Sequence, residues 1–149
     1  MSTIERLPPS NPEAEQALLG CVLIDADSLL ENLPETAEPI TTAIQPDDFH
    51  NVYNRTIWGA MVKLFNDNLP IDLVTLTEVV SKDEHITDED QIEPYIIGLI
   101  NAVPTSVNVA AYAQIVKSKS IRRKLIAAAG TIANMAFDET EETPPLEIS

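Results

Sequence analysis

The sequence predicts an all-α protein, with a compact helical head of five or six helices at residues 11–107 and a long projecting helix at residues 108–137. Apolar residues recur at helical spacing in successive segments. No segment places four or five alternating β-branched residues between turn signals, as a strand does. Hydrophobic residues form 44% of the chain but aromatic residues only 5%, so aliphatic side chains must build the core, which suits helices. An extended lead-in at residues 1–10 and an acidic tail at residues 138–149 complete the predicted organisation.

The first predicted helix starts at the pair Asn11 and Pro12. Asparagine is a favoured N-cap, and proline suits the first helical position. Glu13 and Glu15 follow in the first turn, where the helix dipole stabilises carboxylates. The apolar positions that share one face predict its buried side: Ala14, Ala17, Leu18, Cys21 and Val22. On such a face Cys21 is predicted to be a packed core thiol rather than a nucleophile.

The next segment combines a short helix, a loop and a core helix. Asp27 and Ser28 predict a short helical piece that ends before Pro34, and three prolines predict a loop at residues 34–47. Residues 47–49 then precede the start of another helix, which is predicted from Asn51 to Phe65. Its apolar stripe marks a central core helix that residues 66–70 end: Tyr53, Ile57, Ala60, Met61 and Leu64, widened by Trp58 and Phe65.

Two further short helices are predicted before the long one. Asp72 can cap a helix through Val80, and residues 81–90 hold five acidic side chains that predict a solvated loop. Another helix follows from Ile92, with Pro104 beyond its end. The inward positions of the first of these helices are Leu73, Leu76, Val79 and Val80, and the apolar positions of the second are Tyr95, Ile96, Leu99 and Ile100.

The long helix is predicted to have two different faces. Asn108 can serve as its N-cap, and a helix from there to Phe137 is roughly 45 Å long. One stripe lies in the first half (Val109, Tyr112, Ala113, Val116) and another in the second (Ile121, Leu125, Ala128, Ile132, Met135). The second stripe is rotated by roughly 140° from the first. The first half is therefore predicted to pack on the head, and the second to contact another helix.

The tail beyond this helix predicts a turn and the start of a further element. It is acidic and carries Pro144 and Pro145, after which only four residues remain. We expect the chain to be a fragment, cut where a second helix begins to fold back antiparallel to the first.

The net charge of −15 limits the possible partners. With 24 acidic residues against nine basic ones, most of the surface repels nucleic acid. Five of the basic residues nevertheless lie together in the long helix: Lys117, Lys119, Arg122, Arg123 and Lys124. They can contact phosphate or an acidic partner. Alternatively, they compensate the acidic surface with side chains that snorkel along a solvated helix, which so small a number of basic residues favours.

No residue pattern predicts catalysis, a metal site or a cofactor site. The sequence lacks a phosphate-binding loop, and its four glycines do not cluster. His50 beside Asp47 and Asp48 can be drawn as an acid–base pair, but capping at a helix start explains it better. His85 in an acidic loop is predicted to be part of a solvated surface rather than a metal ligand. The single cysteine excludes an internal disulfide. Without a signal peptide or an apolar run long enough for a membrane span, we expect a soluble cytoplasmic protein with no membrane contact.

Three stretches resemble the N-terminal region of bacterial replicative DNA helicases of the DnaB family. They read LPPSNPEAEQALLGCVLID from Leu7, PDDFHNVYNRTIWGAMVKLFNDNLPIDLVTL from Pro46 and AVPTSVNVAAYAQIVKSKSIRRKLI from Ala102. They occur in the family's order and at similar spacing over nearly the whole chain. Residues 32–45 are longer than the usual segment, and residues 91–94 replace a glycine pair that the family often carries.

The resemblance implies a helical head followed by a helical hairpin. In this family the domain forms the non-catalytic collar of a hexameric ring, commonly a trimer of dimers, and offers its hairpin region to primase. ATP and Mg²⁺ bind to a separate motor domain of the parent helicase. The implied partners are therefore other copies of the chain and primase, with DNA contacted weakly or through the parent protein.

Two alternatives of other classes remain. The first is a nucleic-acid-binding helical module that uses the basic segment 117–124, and the second is an enzyme. Salt-sensitive DNA binding that is lost when Arg122 and Arg123 become glutamate supports the first alternative. An enzyme requires a catalytic constellation that the sequence does not offer.

Overall fold

A computed structural model describes residues 6–103 and 108–139 of the chain, and over these ranges the protein is all-α, as the sequence predicts. The described ranges contain six α-helices, a long one last, and three short 3₁₀ helices. The α-helices are α1 (Pro12–Ile24), α2 (Ile40–Ala43), α3 (Val52–Asn66), α4 (Leu73–Ser81), α5 (Ile92–Asn101) and α6 (Val109–Phe137). The 3₁₀ helices are η1 (Ala26–Leu30), η2 (Pro46–Asp48) and η3 (Glu89–Gln91). An isolated bridge between Asn32 and Pro39 is the sole β-type pairing in these ranges.

Short polar side chains start the helices where the sequence predicts. The Asn11 side chain accepts a hydrogen bond from the Ala14 N–H at 2.9 Å, and Asn108 accepts one from the Ala111 N–H at 3.1 Å. Asp72 accepts from the Thr75 N–H at 2.9 Å. Each cap satisfies a backbone donor that the first helical turn cannot, which is worth about 1 kcal/mol.

Helix α3 begins within one residue of the predicted start at Asn51. Its N-cap is Asn51, whose side chain accepts from the Asn54 N–H, whereas Asp48 ends the 3₁₀ helix η2. The start of α3 also receives a carboxylate from α1. Glu15, only 2% exposed, accepts hydrogen bonds from the backbone N–H groups of His50 at 2.8 Å and Asn51 at 3.3 Å. Glu15 therefore does more than stabilise the first turn of its own helix: it also caps α3.

The core lies between α1, α3, α4, α5 and the first half of α6. The predicted inner face of α1 is buried, and in α3 the fully buried Trp58 donates its indole N–H to the Ile44 carbonyl at 2.9 Å. Gly20 permits the close approach of α1 and α5, because a β-carbon there overlaps the Leu99 carbonyl oxygen and the Val103 side chain.

Two predicted loops contribute to the core, contrary to expectation. The segment at residues 34–47 contains α2, whose Ile40 is fully buried. In the acidic segment at residues 81–90, Ile86 is only 7% exposed and packs into the core. Ile40, Ala43 and Ile44 anchor the first segment and Ile86 anchors the second, and so few apolar residues do not form a periodic pattern that the sequence reveals. The predicted helical piece at Asp27 is the 3₁₀ helix η1.

Some predictions fall on residues outside the described ranges. These are residues 1–5 of the lead-in, the predicted connection at Pro104 and the turn and further element beyond residue 139. Within the described ranges, no helix combines the length and apolarity needed to cross a bilayer.

Candidate partner surface on the long helix

A buried carboxylate attaches the middle of α6 to the head. The side chain of Asp48 is fully buried, and four donors surround it. One of its oxygens, Oδ1, accepts from the Ser120 hydroxyl at 2.6 Å and from the Lys124 ammonium at 3.2 Å. The other, Oδ2, accepts from the Gln45 N–H at 2.7 Å and from the Lys117 ammonium at 3.3 Å. We call Asp48, Lys117, Ser120, Arg123 and Lys124 the clamp.

Arg123 completes the clamp with hydrogen bonds to backbone carbonyls. Its guanidinium donates to the Asp48 carbonyl at 2.7 Å and to the Pro9 carbonyl at 2.8 Å. Lys117 also donates to the Ala43 carbonyl at 3.1 Å. Three of the five predicted basic contact residues are thus directed toward the head, while Arg122 is exposed and Lys119 is half-buried.

The clamp keeps Asp48 ionised in spite of its burial. Burial is the largest single influence and by itself raises the pKa of Asp48. The hydrogen bonds from the Gln45 N–H and the Ser120 hydroxyl, together with the charges of Lys117 and Lys124, outweigh it and hold the pKa below its ordinary value. The carboxylate is therefore charged at neutral pH and paired with two cations.

The two halves of α6 differ sharply in burial. In the first half Val109, Ala113 and Val116 are buried against the head, and Tyr112 is half-buried, as predicted. Every residue from Lys124 to Glu139 is exposed. We call the segment Ile121–Phe137 the outer half of α6.

The predicted second stripe is part of a wider apolar surface on the outer half. Ile121 is 47% exposed, Leu125 64%, Ile132 46% and Met135 39%, and Ala128 is exposed between them. Ile126 and Phe137, which the predicted stripe leaves out, are also exposed and extend the apolar surface around the helix. At 100° per residue this surface spans roughly 200° of the helix circumference. A single neighbouring helix cannot cover so wide an arc.

The remaining side of the outer half is polar. Thr131 and Asn134 lie there, and the Thr131 hydroxyl donates to the Ala127 carbonyl at 3.1 Å. A helix with one polar side and a wide exposed apolar side is typical of an interaction surface.

The other candidate residues are not assembled into a chemical site. His50 is exposed, and its backbone N–H binds Glu15, while the Asp48 carboxylate is occupied by the clamp. The His85 Nδ1 lies 2.9 Å from the Asp83 carboxylate. Among the described residues, no group of three or more potential ligands is placed to hold a metal ion.

Cys21 is a packed core thiol, as predicted. It is 1% exposed, and burial, with a smaller contribution from the charge of Glu31, raises its pKa to about 11. The thiol is therefore protonated at neutral pH, so the reactive thiolate is not formed.

Known proteins match this chain in sequence and in fold. The family model of the DnaB-like helicase N-terminal domain matches residues 7–118. The replicative DNA helicase DnaC of Bacillus subtilis strain 168 is 35% identical over 142 residues, which cover 95% of this chain and 29% of that relative. The chain thus spans under a third of the length of this relative.

Two solved structures share the fold. The N-terminal domain of DnaB helicase from Mycobacterium tuberculosis matches with a TM-score of 0.75 at 25% identity, over 95% of this chain and 92% of that one. The N-terminal domain of DnaB helicase from Helicobacter pylori, described together with its interactions with primase, has a TM-score of 0.66 at 26% identity. That match covers 83% of this chain and 89% of the other. The chain belongs to the family of DnaB-like helicase N-terminal domains.

Proposed function

We propose that this chain is the non-catalytic collar domain of a hexameric, ATP-dependent replicative DNA helicase in the cytoplasm. Its role is to hold subunits together and to dock primase. ATP and Mg²⁺ are bound by the rest of the parent protein, which supplies the motor activity. The family membership supports this assignment, as does the H. pylori relative that was described with primase.

The exposed apolar surface of the outer half of α6 carries the proposal for association. Exposure of apolar side chains to water is unfavourable, and contact with another helix buries them. The side chains of this stripe are Ile121, Leu125, Ala128, Ile132 and Met135. Burial of apolar surface contributes about 25 cal/mol per Å², so a stripe of this length supplies several kcal/mol. The small side chain of Ala128, in the middle of the stripe, permits close approach of a second helix.

The first test alters the charge of this stripe. We expect the double variant Leu125→Asp, Ile132→Asp to lower the associated mass of the chain in light scattering, because carboxylates in an apolar contact lose hydration. The matched control is Thr131→Asp, Asn134→Asp, which adds the same two charges on the polar side of the outer half of α6. An unchanged mass for the stripe variant, with an intact circular dichroism spectrum, contradicts the assignment.

Primase docking requires a separate test. Purified chain and purified primase from the same organism are mixed and weighed by native mass spectrometry. We expect a complex, and its loss in the stripe variant but not in the polar-side control assigns primase to the outer half. A complex that both variants retain places primase elsewhere on the domain.

The structure gives reasons against the nucleic-acid alternative. Lys117, Arg123 and Lys124 bind Asp48 or backbone carbonyls of the head, so only Lys119 and Arg122 of the basic segment remain for phosphate. Two cations on a chain of net charge −15 provide only weak electrostatic binding to nucleic acid. Salt-sensitive DNA binding that Arg122→Glu abolishes revives this alternative.

A further inference from the structure

A second unpartnered surface lies on the head, in the groove between α4 and α5. Two adjoining hollows of about 550 and 270 Å³ share Thr77 and Glu93 in their walls, so they form one groove. Its floor contains apolar side chains that the core leaves out. Val74 on α4 is 76% exposed, and Ile97 on α5 is 43% exposed. Each neighbouring helix therefore presents a β-branched apolar side chain to water.

Carboxylates border this apolar floor. Glu89, Asp90 and Glu93 line one side, at the start of α5. Glu78 lies on the other side, where Lys82 pairs with it at 3.0 Å. Between residues 72 and 101 the chain carries only one lysine, Lys82, and eight carboxylates: Asp72, Glu78, Asp83, Glu84, Asp88, Glu89, Asp90 and Glu93. The groove is apolar at its floor and strongly negative at its edge.

We propose that this groove binds a basic amphipathic α-helix of another protein. The lining residues span Leu73–Glu78 on one side and Glu89–Ile97 on the other, so the groove is about 8 to 12 Å long, enough for about two turns of a partner helix. Apolar anchors at helical spacing fill the floor beside Val74 and Ile97. Lysine or arginine on the flanks of the same helix reaches Glu89, Asp90 and Glu93.

Charge selects a foreign partner over a second copy of this chain. A second copy brings the same acidic groove and a further net charge of −15, and like charges placed together oppose association. Three of the five basic residues on α6 are already held in the clamp. The groove also lies on different helices from the outer half of α6, so it is independent of the subunit contact proposed above.

The test uses a synthetic peptide as the probe. A fluorescein-labelled peptide of about four turns carries leucine at helical spacing and lysine elsewhere, and its binding to the whole chain is followed by fluorescence anisotropy. We expect Glu89→Lys, Glu93→Lys to weaken binding by at least about fivefold, because two attractive pairs become repulsive. Val74→Gln, Ile97→Gln is expected to weaken it by at least about threefold without changing the charge.

The matched control carries the same charge change elsewhere. Glu35→Lys, Glu38→Lys alters two exposed residues between η1 and α2, outside the groove, and is expected to change binding by less than about twofold. Equal weakening by this control overturns the proposal, as does equal binding of a peptide of the same composition with its leucines scrambled. Failure of the first peptide to bind the unaltered chain overturns it too. A lower mass of the free glutamine variant in light scattering assigns the groove to a second copy and likewise overturns the proposal.

Discussion

The two halves of α6 belong to one continuous helix but have opposite environments. The inner half, Val109–Ser120, buries its apolar stripe against the head, whereas the outer half exposes its stripe to solvent. Both stripes have the same helical spacing, and both are recognisable in the sequence. An apolar stripe at helical spacing therefore does not by itself show whether a helix face is buried in its own chain.

The clamp lies where the two halves meet. Ser120 is the last buried residue of α6, and its hydroxyl binds Asp48 at 2.6 Å. On the outer side of Ser120 the stripe turns away from the head. The basic segment is therefore an attachment point of the helix as well as a boundary between its two faces.

Removing the charge of Asp48 is expected to have the largest effect on this comparison. Asp48→Asn removes a fully buried carboxylate and leaves Lys117 and Lys124, which are 27% and 55% exposed, without their counter-ion. Because both lysines reach solvent, the expected loss of unfolding free energy is about 2 to 3 kcal/mol. Urea denaturation measures the loss. The control Asp47→Asn alters the exposed neighbour and is expected to stay within about 0.5 kcal/mol. A loss under about 1 kcal/mol for Asp48→Asn shows that apolar packing alone attaches the inner half.

The same substitution made in both halves tests the difference in burial directly. Ala113 is fully buried, so Ala113→Leu overpacks the contact with the head and is expected to cost about 1 to 3 kcal/mol in urea denaturation. Ala128 is exposed, so Ala128→Leu is expected to change unfolding by less than about 0.5 kcal/mol. Equal costs at the two positions contradict the distinction between the halves.

Adjacent arginines offer a finer comparison within the basic segment. Arg123→Ala removes two hydrogen bonds from a charged donor to the Pro9 and Asp48 carbonyls, and a loss of about 1.5 to 3 kcal/mol is expected. Arg122→Ala removes an exposed side chain and is expected to cost under about 0.5 kcal/mol. Thermal unfolding of the two variants measures both values. Similar losses mean that the segment acts only through its total charge.

Acid is expected to produce the smallest and most gradual effect. The pKa of Asp48 is lowered in the folded chain, so its ionisation stabilises the fold fully above the ordinary aspartate value of about 3.9. This contribution is lost as the pH falls through the lowered value. Urea midpoints from pH 7 down to about 3 are expected to fall less steeply at the acid end for Asp48→Asn than for the unaltered chain. Parallel curves mean that Asp48 has no part in acid unfolding.

Local features of the fold could be predicted from the sequence, and long-range polar contacts could not. The caps at Asn11, Asp72 and Asn108 bind backbone groups three residues away, so they are visible in the sequence itself. Asp48 instead binds Lys117, Ser120 and Lys124, which are 69, 72 and 76 residues further along the chain. A carboxylate before a helix predicts a cap, and only the folded chain brings these partners to it.

The candidate partner surface was predictable for a similar reason. The stripe from Ile121 to Met135 follows from helical spacing, and its exposure follows from the change of face. The groove between α4 and α5 was not predictable, because Val74 and Ile97 each look like one more apolar residue of a short helix. Their exposure depends on how the two helices pack together.

The network around Asp48 attaches α6 to the head as far as Lys124, and the helix beyond it is exposed. This exposed part extends roughly 20 Å from Lys124 to Phe137, so a tilt of only about 10° at Lys124 displaces its tip by about 3 to 4 Å. A packed helix–helix contact at the tip tolerates little of that displacement. The stiffness of the Asp48 network therefore sets how accurately the outer half of α6 is positioned relative to the head, and a change at a buried carboxylate can move an exposed apolar stripe far from it.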